Sequence, residues 1–80
     1  MEKQEIINKA NEAMAEEFEI ELGDITPDAI IKDTLDIDSL GLVDLVALIE
    51  SLFGVKIQNT EIASIQTFQD LYDYIESKMN

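Results

Sequence analysis

The chain has no cysteine, no histidine and no tryptophan, and its five basic residues are all lysine. Without cysteine no disulfide framework can form. Without histidine as well, a thiolate or imidazole metal site is excluded, and so is a serine or cysteine nucleophile activated by imidazole. Basic residues are scarce against 18 acidic ones, for a formal net charge of -13. Such a surface repels phosphate backbones and anionic lipid, which argues against nucleic-acid and membrane-surface partners. Basic patches on other proteins are its natural complement. No apolar run is long enough to span a bilayer, and the opening MEKQEIINKANEAM lacks the apolar core of a secretory signal. The expected place is therefore the cytoplasm.

What is present fits one small globule. Eighty residues, 46% of them hydrophobic, suffice for a single domain over 1-80 with a limited core. No internal repeat or low-complexity segment interrupts it. Strand alternation is sustained nowhere, whereas apolar residues recur at three- and four-residue steps in three stretches. From Lys3 to about Glu19, Ile6, Ile7, Ala10, Ala13, Met14 and Phe18 form one side of a helix. From Leu40 to Phe53, Leu42, Leu45, Val46, Ile49, Leu52 and Phe53 do the same, and Gly54 suits the stop. After Thr67, Phe68, Leu71, Tyr72, Ile75 and Met79 make a third stripe, with Asp70 in a box-like position. Tyr72 and Tyr74 are read as core or rim packing.

Two weaker elements lie between. Thr26-Pro27-Asp28 reads as a capped short helical turn, and Ile25, Ile30, Ile31, Leu35 and Ile37 are too apolar for a free loop. They are expected to close one end of the core. Asn59 or Thr60 can cap a short helix over Glu61 to Ser64, with Ile62 and Ile65 inward. The expected fold is all-α, a four-helix up-down bundle with a long first loop and a short third helix.

The start of the central helix is the candidate site. Asp36 and Asp38 lie where the helix dipole favours negative charge. With Asp38 as the N-cap, Ser39 stands at the first helical position with its hydroxyl free. The competing arrangement makes Ser39 the cap, but a capping box would then want Glu or Gln where Leu42 stands. The outward face of the same helix holds Leu40, Val43, Asp44, Ala47, Glu50 and Ser51, a mixture more apolar than a purely solvated face.

Other chemistries fail on residue type. Asp36-x-Asp38-x-x-Gly41 opens like a calcium loop, but Leu40 and Ala47 stand where oxygen ligands are needed. A hydrolytic serine lacks its base, and nothing singles out a catalytic carboxylate pair. No catalytic residue and no metal site are assigned, and the chain is read as a non-enzyme.

Asp38-Ser39-Leu40, ahead of an acidic helix that ends in Phe53-Gly54-Val55-Lys56-Ile57, resembles the acyl carrier protein family. Leu35 to Leu40 resembles the family's attachment loop, and Thr67-Phe68-Gln69-Asp70-Leu71 with Tyr74-Ile75 resembles its last helix. The resemblance implies a 4′-phosphopantetheine arm, drawn from coenzyme A and esterified to Ser39, carrying acyl groups as thioesters. A chain without cysteine must take its thiol from such a group. The resemblance further implies a monomer loaded by a phosphopantetheinyl transferase. It would serve acyl-transferring and acyl-modifying enzymes of fatty acid or related lipid or polyketide biosynthesis. Their basic docking patches would read Asp38, Leu40, Val43, Asp44, Ala47 and Glu50. One departure stands out: Gly41 occupies a place where housekeeping fatty-acid carriers usually have an acid, and it weakens the helix by roughly 1 kcal/mol relative to Ala. A specialised carrier, including a D-alanyl or peptidyl variant, is thereby left open. The alternative from another class is an acidic helical interaction module without a prosthetic group.

Overall fold

The three long stripes become the three long helices. The computed structural model describes residues 2–79, so the first and last residues of the expected 1-80 domain lie outside it. Its elements are α1 (Lys3–Phe18), a 3-10 turn (Leu22–Asp24), α2 (Ile31–Leu35), α3 (Ser39–Phe53), α4 (Asn59–Ile62) and α5 (Phe68–Met79). The expected all-α architecture holds, with α4 as the short third helix and α2 as an addition inside the long first connection. Among the described residues no helix is long and apolar enough to cross a membrane.

The core follows the periodicity. Ile6, Ala10 and Met14 of α1 meet Leu45 and Ile49 of α3 and the buried face of α5, which holds Phe68, Leu71, Tyr72 and Ile75. The outer members of each stripe, such as Ile7, Phe18, Leu42, Val46 and Met79, are half-buried and pack around that centre. The α1 helix lies against both α3 and α5. Tyr72 is buried, and its hydroxyl donates to the Asn11 side chain on α1, so its one polar atom is satisfied. Burial pushes this phenol above its ordinary pKa, with the Asn11 bond opposing. At the edge, the Lys3 ammonium pairs with Asp73 and lies 3.8 Å from Glu76, linking the start of α1 to α5.

The first connection differs from its sequence reading. Thr26-Pro27-Asp28 forms the expected single turn, closed by the Ala29 N–H on the Thr26 carbonyl at 3.1 Å. The helix comes later, at α2, with no side-chain cap to announce it. Tertiary contacts hold it. The Ile31 N–H donates to the Gln66 carbonyl at 2.9 Å, Ile30 pairs with Thr67 in an isolated antiparallel bridge, and Ile31 and Leu35 are buried. The Phe68 N–H reaches the Ala29 carbonyl at 3.3 Å, and the Gln69 N–H reaches that of Pro27 at 2.9 Å. A backbone seam thus joins the first connection to the start of α5. Ile25 is buried as expected and Ile37 half-buried, but Ile30, whose backbone pairs with Thr67, is 40% exposed.

The α5 helix opens with a reciprocal cap. Thr67 Oγ1 accepts the Asp70 N–H at 3.1 Å, while Asp70 Oδ2 accepts the N–H groups of Thr67 and Gln66, each at 3.1 Å. Those two backbone donors, Thr67's first, hold the Asp70 carboxyl below the usual carboxylate range. Gly54 ends α3 at φ 68, a left-handed conformation that glycine adopts without a side-chain penalty. The α4 helix starts earlier and ends earlier than its sequence suggests. Gln58, and neither Asn59 nor Thr60, takes its cap position, without a side-chain bond.

Candidate functional site

The site is assembled by the chain reversal between α2 and α3. Asp36 ends α2 in the left-handed region at φ 53, and the next amide, Ile37 N–H, donates back to the Lys32 carbonyl at 3.0 Å. Asp38 is extended, and its Oδ1 accepts the N–H groups of Leu40 and Gly41, both at 3.0 Å. The Leu42 N–H then donates to the Asp38 carbonyl at 3.0 Å, the first bond of the helical ladder.

This geometry decides between the two caps. Asp38 takes the capping bonds, and Ser39 is the first residue of α3, exposed, with no partner for its hydroxyl among the described residues. The helix therefore starts at Ser39, one residue before the sequence boundary. An exposed hydroxyl on a rigid helix start is free to accept a covalent group, so the residues fit a phosphodiester-linked arm. The anion would feel the field of a 15-residue helix. Two amide donors at the helix start, those of Leu40 and Gly41, are not free for it, because the Asp38 carboxylate already holds them.

The other expected site residues divide. Leu40 is 78% exposed and Val43 60%, and Asp44 and Ala47 are also exposed, so these four share a solvent-facing strip with Asp38 at its head. Glu50 is different. It is half-buried, and its carboxylate accepts the Ile57 N–H at 2.9 Å, tying α3 to the segment before α4. It lies on the same side of α3, but its charge is partly committed to the fold.

Three features were not evident from the sequence. The first is at Gly41, where an added Cβ would lie 2.6 Å from Ile37 Cβ and 2.9 Å from its Cγ2. The second is a cavity of about 350 Å³ between α2, α3 and the α4 region, lined by Ile30, Ile31, Leu42, Ile62 and Ile65 together with Lys32. Leu42 is one helical turn below Ser39, so the cavity begins beneath the site. The third is a clasp on α4. The Tyr74 hydroxyl donates to the Glu61 carboxylate and lies 3.4 Å from the Lys56 carbonyl, and Lys78 Nζ stands 4.0 Å from Glu61 and 5.4 Å from the Tyr74 ring centre. Desolvation, then the Glu61 bond, pushes the Tyr74 phenol up. Only the position of Tyr74 at the edge of the α5 stripe hinted at it.

Comparison with known proteins agrees with this geometry. Residues 9–75 match the family described as "Phosphopantetheine attachment site". An acyl carrier protein of Thermotoga maritima is 38% identical over 77 residues, covering 96% of this chain and 95% of that protein. One from Lactobacillus johnsonii is 35% identical over 80 residues and covers all of both chains. The solved structure of an acyl carrier protein from Enterococcus faecalis superposes with a TM-score of 0.81 at 31% identity, covering 98% of this chain and 99% of that one. The chain belongs to the acyl carrier protein family, whose members are carriers and not enzymes and whose prosthetic group is covalent 4′-phosphopantetheine.

Proposed function

We propose that Ser39 is the attachment point and that the chain holds acyl groups for enzymes of fatty acid or related lipid or polyketide biosynthesis. The observation that carries this reading is the Ser39 hydroxyl, exposed and unbonded among the described residues at the head of α3, beside a turn fixed by Asp38. In the loading step, Ser39 Oγ attacks the phosphorus that bears the pantetheine in coenzyme A. The Oγ–P bond forms as the pyrophosphate P–O bond breaks, 3′,5′-ADP leaves, and the hydroxyl proton passes to the phosphopantetheinyl transferase. The arm supplies the thiol that this cysteine-free chain lacks.

The chain's own residues do the rest. Asp38 fixes the turn. Leu40, Val43, Asp44 and Ala47 offer partners an apolar strip edged with charge, and Glu50 adds its charge at the far end. A net charge of -13 draws this face toward basic docking patches. The cavity beneath Ser39, about 350 Å³ and mainly aliphatic, falls within the roughly 300–1,000 Å³ span of small-molecule sites and suits a hydrocarbon chain. The chain is proposed to act as a monomeric single domain in the cytoplasm. A specialised pathway, D-alanyl or peptidyl carriage included, is favoured by one observation: the first turn of α3 holds no acidic side chain.

The test is intact mass after incubation with coenzyme A and a broad-specificity phosphopantetheinyl transferase. Wild type is expected to gain one phosphopantetheine, and Ser39→Ala none with its melting temperature nearly unchanged. A folded wild type that gains nothing with several transferases would overturn the reading.

A further inference from the structure

We infer that Gly41 is a positioning residue for the loading of Ser39, acting through its contact with Ile37; the inference rests on the carrier reading above. The contact is closer than any side chain at position 41 permits. A Cβ there would stand 2.6 Å from Ile37 Cβ and 2.9 Å from Cγ2. Ile37 Cβ is bonded directly to the backbone, so turning the Ile37 side chain about χ1 cannot move it away. Relief requires the backbone of the turn to shift.

That backbone is held from the other side. Asp36 is in the left-handed region, the Ile37 N–H is bonded to Lys32, and Ile37 itself packs against the core. The next two residues are the cap and the serine. Asp38 Oδ1 holds the N–H of Gly41 itself, together with that of Leu40. Displacing Ile37 therefore moves the residue bonded to Asp38 and strains the cap that fixes Ser39. Glycine is the poorer helix former in the first turn, yet here it allows the turn to lie flush against the helix it starts. Gly41 adjoins the docking strip at Asp44, one turn on, so kcat and KM are read separately to divide the alignment of Oγ with phosphorus from encounter with the transferase.

The experiment compares wild type, Gly41→Ala, Ile37→Gly and the double variant. Initial loading rates with coenzyme A and a phosphopantetheinyl transferase give kcat and KM separately, and amide exchange on the unloaded proteins follows the N–H groups of Leu40 and residue 41. Gly41→Ala is expected to lower kcat about tenfold or more, with KM changed less than about twofold, because small misplacement of a reacting atom is costly. The two amides should exchange faster. In the Ile37→Gly background, where both Cβ and Cγ2 of residue 37 are gone, adding Gly41→Ala should change kcat less than about twofold and leave both amides as they were. Wild-type kcat and unchanged amides in Gly41→Ala would overturn the inference. So would an equal loss of kcat in both backgrounds, which would assign the effect to the new methyl at the partner's surface. If Gly41→Ala fails to fold while the double variant folds and loads, the contact is supported; if the double variant fails where Ile37→Gly alone folds, it is refuted. A wild type that no transferase loads defeats the carrier reading, and the amide comparison still decides whether the contact sets the turn.

Discussion

The starts of α3 and α5 are built from the same parts and put to opposite uses. At each an aspartate accepts two backbone N–H groups: Asp38, the residue before α3, from Leu40 and Gly41 inside the helix, and Asp70, the third residue of α5, from Gln66 and Thr67 before it. At α5 the bonding is reciprocal, since Thr67 Oγ1 returns a bond to the Asp70 N–H, and the first residue of the helix, Phe68, is fully buried. At α3 the aspartate is itself the cap, nothing bonds the hydroxyl of the first residue among those described, and Leu40 beside it is 78% exposed. One start closes the core, and the other leaves a hydroxyl exposed to solvent. An aspartate bonded to two amides therefore fixes a helix start whether the side chain that follows is buried, as at Phe68, or exposed, as at Leu40.

Three measurements would break or sharpen this contrast. The largest effect is expected from truncating the first residue of α5. Phe68→Ala should destabilise the fold by about 3–5 kcal/mol, whereas Leu40→Ala should stay within roughly 0.5 kcal/mol. Equal losses in denaturant unfolding would erase the distinction between the two starts.

Next come the cap and its pH dependence. Thr67→Ala should cost about 1 kcal/mol at neutral pH. The Asp70 carboxyl is lowered by the Thr67 and Gln66 amides, so its contribution is complete above an unfolded-state pKa of about 4 and is lost as pH falls through the lower folded value. The stability gap between wild type and Asp70→Ala should thus be constant near neutrality and close in acid. A gap that widens on acidification would refute the assignment.

The smallest effect per unit change is ionic. With a net charge of -13, the folded chain repels itself, and added salt or Mg²⁺ should raise the melting temperature. A midpoint that does not move with ionic strength would count against that source of instability.

The long helices were legible because Ile6, Ala10 and Met14, or Phe68, Leu71, Tyr72 and Ile75, recur at the helical period and need no knowledge of their partners. That Asp38, and not Ser39, caps α3 was legible because Asp38 is a strong cap and Leu42 a wrong residue for the alternative box. The α2 helix was not, since five residues without a side-chain cap owe their helix to Gln66 and Thr67, distant in sequence. Gly41 read as a weak point in a helix. Its fit against Ile37 depends on the left-handed turn at Asp36, a backbone conformation that no residue type there prescribes.

The seam between the first connection and α5 has a consequence for how this fold can diverge. It joins the Ile31 N–H to the Gln66 carbonyl, the Phe68 N–H to that of Ala29, and the Gln69 N–H to that of Pro27. All six atoms belong to the main chain, and none of the donors can be lost except by substitution to proline. Mutation can rewrite the exposed side chains along this stitching without removing its bonds, while burial keeps Ile31 and Phe68 apolar. The first connection can therefore drift in composition, and acquire new exposed chemistry at its turns, while staying fastened to the wall of the cavity it helps to enclose.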